Sequence, residues 1–274
     1  VQLKNGQLNY DDFFDLVHQI KRYVSNDTFE KFKNTKWADI DGAEMDEVIS
    51  QHITKKLTAV RKEASLYSSV IDLISKEINT WKKIVPLIAA LKADYVLERH
   101  WDVVRDVLNC KDLKINNSLS LSYFYDKKIH EKTEEISEVT ERAATEDKMS
   151  KKLAEIDNNW GSFAFTEKPY MRVEGVTLIE LNEDQFAILE DNMQHTQTLS
   201  RNRFKKHFEE RIDNWKRDLN TINDMHTSLT EVQTSWSFLE SLFIGSDEIK
   251  KELPQDTERF KQLDIEVKEI LKKG

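Results

Sequence analysis

A chain of 274 residues is long enough for one large domain or two small ones. With only 6 glycines and 3 prolines it cannot supply the turns of a many-stranded sandwich or barrel, which excludes an all-β fold. A net charge of −9, from 41 Lys plus Arg against 50 Asp plus Glu, argues against nucleic acid as the main partner. Charged residues make up 33% and hydrophobic ones 39%, a mix that suits long amphipathic helices. Cys110 is the one cysteine, so no disulfide forms within the chain and an intracellular location is expected. No apolar run reaches 18 residues and VQLKNGQLNYDDFF is not a signal peptide, so no membrane partner is expected. Both ends read as cuts through something longer.

The first predicted helix starts at Asn9, an N-cap, with Asp11 and Asp12 in its first turn and Phe13, Phe14, Leu16, Val17 and Ile20 on its apolar face. Residues 25–43 read as irregular, with Trp37 as an anchor. The clearest pattern follows. Met45, Ile49, Ile53, Leu57, Val60, Ala64, Tyr67, Ile71, Ile74, Ile78, Trp81 and Val85 are spaced 4-4-4-3-4-3-4-3-4-3-4, a heptad seam from Ile53 onward. One helix over 44–85 would be roughly 60 Å long. Pro86 is expected to end or kink it, and a further helix, bending near Ala93-Asp94, to follow.

After the polar loop at 109–122 a second long helix is expected over about 122–159, with Tyr125, Ile129, Ile136, Val139, Ala143, Met149, Leu153, Ile156 and Trp160 as its stripe. From Gly161 the pattern alternates, and two or three strands over 163–181 form a small β-meander. Asn182 and Gln185 make a capping box that opens a helix with Phe186, Leu189, Met193 and Leu199 inward. A third long helix over 201–243 carries a seam from Phe208 to Phe243, and Gly245 ends it. A short helix capped by Ser246 stops at Pro254, and a last one carries Phe260, Leu263, Val267 and Ile270. The fold class is mainly α: an elongated bundle of long antiparallel helices with the β-meander near 163–181.

Chemistry is sparse. A phosphate cradle needs clustered glycines to bring backbone N–H groups together, and here they stand singly, with no G-x-x-x-x-G-K or G-x-G-x-x-G. No two of the 7 histidines lie three or four residues apart, the spacing that would place two imidazoles on one helical face. Cys110 has no neighbouring His to activate it. Acid pairs such as Glu134-Glu135 read as solvated faces. The basic run of Arg201, Arg203, Lys205, Lys206 and His207 reads as a solvated helix start or a docking patch for an acidic surface. Trp101, Trp160, Trp215 and Trp236 fall on apolar stripes and are the candidate structural anchors. No catalytic, cofactor-binding or metal site is expected. A stiff helical body without a catalytic constellation transmits force, spaces domains or scaffolds partners.

Several stretches are similar to one family. LERHW at 97–101 resembles a block in the linker region of dynein heavy chains. AATEDKMSKKLAEIDNNW at 143–160 resembles that family's run before its short strands, and LEDNMQHTQTLSRNRF at 189–204 its next helix. The most specific similarity is NWKRDLNTINDMHTSLTEVQTSWSFLESLFIGSDEIKKELPQDTERF at 214–260, where VQTSW, FLESLF, SDEIKKELP and ERF keep the family's order. The resemblance covers about 80–272. Thr145-Glu146 and Leu229 depart from the family's usual lysine–glutamate pair and aromatic. Ser200 to Phe204 leans toward ciliary over cytoplasmic dyneins.

By this resemblance, residues 1–93 are a helical part of the distal tail and 94–274 the N-terminal part of the linker. The linker is a non-catalytic lever that moves relative to an AAA+ ring of the same heavy chain and passes force to the tail. The implied partners are that ring, the tail and other dynein subunits, with microtubules reached only through the parent motor. ATP and Mg act in the parent motor. The implied location is the cytoskeleton of the cytoplasm, leaning to the ciliary axoneme. Tyr170, Met171 and Arg172, after Pro169 in the strand region, are the candidate ring contacts. The alternative from the residues alone is a spectrin-like scaffold or tether, which the strands at 163–181 fit less well. The purified segment is expected neither to bind nor to hydrolyse ATP; saturable micromolar binding in equilibrium dialysis would overturn this.

Overall fold

The computed structural model describes residues 27–54, 58 and 68–273. The helix expected at Asn9–Ile20 and the middle of the long seam lie outside the described residues. The fold is mainly α with one small two-stranded sheet. The chain divides into two compact units, the first ending at Thr145 and the second beginning at Glu146. The expected division at 93/94 falls inside the first unit.

In the first unit, α1 (Asp27–Asn34) and a 3-10 turn (Trp37–Asp39) occupy the stretch expected to be irregular. The reason is aromatic packing: Phe29 and Phe32 of α1 are buried against Trp81. α2 (Gly42–Glu47) is capped by Asp41, whose carboxylate accepts from the N–H groups of Ala43 at 2.9 Å and Glu44 at 3.0 Å. It runs on into a π-helical turn, Val48–Ile53.

α3 (Ser68–Leu91) continues past Pro86, which therefore does not end it. Pro86 lies on the exposed side, where the carbonyl it leaves unbonded can be hydrated, while Ile84, Val85, Leu87, Ile88 and Leu91 are all buried. The turn comes at 92–97 instead, and α4 (Glu98–Val107) follows, with the Leu97 N–H donating to His100 Nδ1 at 3.0 Å.

The second long helix is likewise divided. α5 (Leu121–Asp126) stops, Lys128 takes a left-handed φ of 54°, and a 3-10 turn (Ile129–Glu131) puts Ile129 into the core before α6 (Thr133–Trp160) begins. The centre of this unit is Trp81, stacked between Phe29 at 6.1 Å and Tyr125 at 5.4 Å. Glu77 accepts from Trp81 Nε1 at 3.1 Å and from the Tyr125 hydroxyl at 2.8 Å. Burial, followed by that bond, pushes the Tyr125 hydroxyl up to about 12.

The second unit holds the rest of α6 and the hairpin β1 (Thr166–Pro169) and β2 (Thr177–Glu180), antiparallel, with Thr166 opposite Glu180 and Pro169 opposite Thr177. Gly175, at φ 76°, allows the return turn. These are two of the two or three strands expected. α7 (Glu183–Ser200) has the predicted capping box: Asn182 Oδ1 accepts from the Gln185 N–H at 2.9 Å, and Gln185 Oε1 from the Asn182 N–H at 3.0 Å.

α8 (Glu209–Phe243) starts later than expected. Asn202 accepts from the Phe204 N–H at 2.9 Å in a tight turn, and a 3-10 turn at Lys205–His207 follows. α9 (Asp247–Glu252) is capped by Ser246, and Pro254 opens α10 (Pro254–Lys273) as its first residue. One cluster of this unit packs Met149, Leu153, Ile156 and Trp160 against Leu189, Ile212 and Leu219; another gathers Val176, Trp236, Phe260 and Leu271. No described helix is long and apolar enough to cross a membrane.

α2 lies against the far end of α3, so the single helix expected over 44–85, which would hold these ends roughly 60 Å apart, is not formed. A Cβ at Gly42 would lie 2.6 Å from Ala89 Cβ on α3. Gly42→Val is therefore expected to destabilise the first unit by about 1–3 kcal/mol, read as an earlier urea midpoint.

Candidate functional site

The hairpin tip and its seat on α8 bring together most of the unusual features of the second unit. The tip runs from Tyr170 to Val176, and the backbone closes it: the Tyr170 N–H donates to the Val176 carbonyl at 2.8 Å. Tyr170 is half-buried. Its ring packs on Trp236 with centroids 4.8 Å apart, and its hydroxyl donates to Glu240 at 2.9 Å. Burial, then the Glu240 bond, raises the pKa of the Tyr170 hydroxyl. Arg172 reaches the same carboxylate at 3.8 Å while 57% of its side chain stays exposed. Met171 is 93% exposed. Of the three sequence candidates, Met171 and Arg172 face outward, whereas Tyr170 is engaged in local packing.

The seat is built on one face of α8. Trp236 is buried, and its Nε1 donates to Asp264 of α10 at 3.0 Å. Lys268, one turn on, donates to the other oxygen of Asp264 at 2.6 Å. Gln233 and Glu240 flank Trp236 and are also buried. Sequence reasoning missed Gln233, Glu240 and Asp264. The available signal was the placing of Gln233 and Glu240 seven residues apart, three before and four after a seam tryptophan.

The other anchors behave as follows. Trp215 is half-buried, and its Nε1 donates to Asp157 of α6 at 2.8 Å; Arg211 pairs with the same carboxylate. Trp160 is buried against Phe163, 4.4 Å between centroids. Trp101 is buried in the core of the first unit, edge-on to Trp37 at 5.5 Å. The structure joins Trp236 to Tyr170 and gives each of the other three its own neighbours.

Chemically, the tip offers a thioether and a guanidinium on a fixed support. Among the described residues no group of three or more His, Cys, Asp or Glu could hold a metal ion. Trp236→Ala is expected to cost about 3–5 kcal/mol, measured by chemical denaturation, since it removes the common packing surface of the hairpin and α10.

Residues 2–274 match the family described as dynein heavy chain, N-terminal region 2. The dynein alpha chain of the flagellar outer arm from Chlamydomonas reinhardtii is 31% identical over 250 residues, covering 89% of this chain and 5% of that protein. Human dynein axonemal heavy chain 17 is 29% identical over 251 residues, covering 90% of this chain and 6% of its own length. The ciliary dynein beta chain of Heliocidaris crassispina is 30% identical over 249 residues, 90% of this chain and 5% of that one. The chain thus spans only 5–6% of the length of these relatives.

Proposed function

This chain belongs to the dynein heavy chain family, within its N-terminal region 2, and we propose that it is the mechanical linker of a microtubule motor. On this reading residues 94–274 are the N-terminal part of the lever and residues 1–93 the adjoining end of the tail. The segment is non-catalytic. ATP and Mg act in an AAA+ ring of the same heavy chain, and the lever moves relative to that ring and passes force to the tail and the other dynein subunits. Microtubules are reached only through the rest of the motor. The flagellar, axonemal and ciliary names of the relatives support an axonemal place of work. Family membership and the hairpin both count against a spectrin-like tether.

The observation that carries the reading is the hairpin tip, which interrupts the helices and holds Met171 and Arg172 outward while Tyr170 is tied down. A nucleotide in the ring can shift the lever only through contacts that differ between the two states. Met171 and Arg172 are the residues proposed to make such a contact with the ring.

Met171→Asp and Arg172→Gln in a complete motor test this. A lost contact of about 1 kcal/mol would change the docked-to-undocked ratio about fivefold. The expected result is slower microtubule gliding in both, with thermal stability unchanged in Met171→Asp, whose side chain is exposed. Normal gliding speed and normal coupling to ATP turnover in both variants would overturn the ring contact.

A further inference from the structure

We propose that Gln233 and Glu240 of α8 are positioning residues that fix the orientation of the hairpin and so decide where Met171 and Arg172 stand. The proposal rests on the ring-contact reading above and extends it to residues that themselves touch no partner.

An isolated two-stranded hairpin is marginal in water, and this one has four residues in each strand. β1 is largely exposed. Something other than its own ladder must hold it. Gln233 does so at the middle of β2. Its Oε1 accepts from the Ile179 N–H at 2.7 Å, and its Nε2 donates to the Ile179 carbonyl at 2.8 Å. One carboxamide therefore takes both backbone groups of Ile179, as a neighbouring strand would.

Glu240 does the same for the turn. Its side chain is only 7% exposed, and its carboxylate accepts from Tyr170 at 2.9 Å with Arg172 at 3.8 Å. Apolar packing does not explain it. The position lies beside Trp236 and Leu239, where a leucine would bury more apolar area with no charge to desolvate. A buried carboxylate there is costly unless paired, and both its hairpin partners come from the tip.

Seven residues separate the two side chains, two turns along one face of α8. They grip the hairpin at two separated points, Ile179 in β2 and Tyr170–Arg172 at the turn. Tyr170 on Trp236, buried Val176 and Thr166 bonded to Gln185 also hold the hairpin, and the two polar grips add direction to that packing, which apolar contact alone does not supply. The tip thus follows α8, and Met171 is presented by a helix and not by a free loop.

The test uses the complete heavy chain motor, with hydrogen–deuterium exchange over 166–180 and microtubule gliding as paired readouts. Gln233→Ala and Glu240→Ala are expected to speed exchange in the hairpin by about tenfold or more, since each removes a buried hydrogen bond, while α7 and α8 stay protected. Gliding is expected to slow as far as in Met171→Asp, and Glu240→Ala combined with Met171→Asp to be no slower than the slower single variant. Glu240→Gln, which keeps an acceptor for Tyr170, should recover most of both readouts. If Glu240→Ala does not fold, Tyr170→Phe removes the same hydrogen bond with less disturbance. Unchanged exchange in these variants overturns the proposal. So does faster exchange with normal gliding while Met171→Asp glides slowly, which leaves the ring contact standing. Normal gliding and ATP coupling in both Met171→Asp and Arg172→Gln remove the ring-contact reading and this proposal with it.

Discussion

The bond from the indole nitrogen of Trp236 to Asp264 closes the last third of the chain on itself. Trp236 lies on α8, Asp264 on α10, and the Tyr170 ring packs on the same indole from the hairpin. Three elements far apart in sequence thus share one side chain. Burying the indole requires a partner for its N–H, because an unpaired buried donor costs about 1–3 kcal/mol. Burying Asp264 requires a cation or donors in turn, and Lys268 and Trp236 supply both. Each buried polar group is made acceptable by the next. Such a chain of requirements fixes the register of α10 along α8, which apolar packing alone would leave free to slide.

The first unit solves the same problem in the same way. Trp81 is fully buried between two aromatic rings, and Glu77, one turn before it, takes both its N–H and the Tyr125 hydroxyl. In each unit a tryptophan supplies area and a nearby carboxylate supplies direction. The same logic recurs where Asp157 of α6 receives Trp215 and Arg211 of α8. Seams of this kind hold long helices in one alignment, which supports the proposed load-bearing role.

How much of this could be read beforehand depended on the range of the interaction. Met45 and Ile49 are buried on a separate element that packs against α3, whereas Ile78, Trp81 and Val85 are buried as the heptad spacing implies, because that pattern is local to one helix. The Asn182–Gln185 box and the Ser246 cap were legible for the same reason. Pro86 does not end α3, and the side of the helix that meets water, where Pro86 lies, is not legible from the proline itself. The division at Lys128 was invisible, since it follows from the pull of the core on Ile129. At the candidate site, Met171 and Arg172 lie exposed in the turn between β1 and β2. An aromatic after a proline gives no sign of which surface it will find, and Tyr170 packs on Trp236. Gln233 and Glu240 look like ordinary helix-surface residues until the hairpin is laid over them.

The seam of α8 has a further asymmetry that bears on mechanism. Its ends are covered, with Ile212 and Leu219 buried in one cluster and Trp236 in the other, while Met225 and Val232 between them are about half exposed. The hairpin sits on the covered C-terminal stretch. A contact residue carried by a stiff support loses less conformational freedom on docking than one on a free loop, so more of its interaction energy remains as affinity. On the proposed lever reading, a load applied at Met171 would pass through Tyr170, Glu240 and Gln233 into the backbone of α8 instead of being absorbed by a pivoting turn. The proposed lever would need that property wherever it touched its ring, and the bonds of Gln233 and Glu240 to the hairpin contribute to it alongside the packing of Tyr170 and Val176.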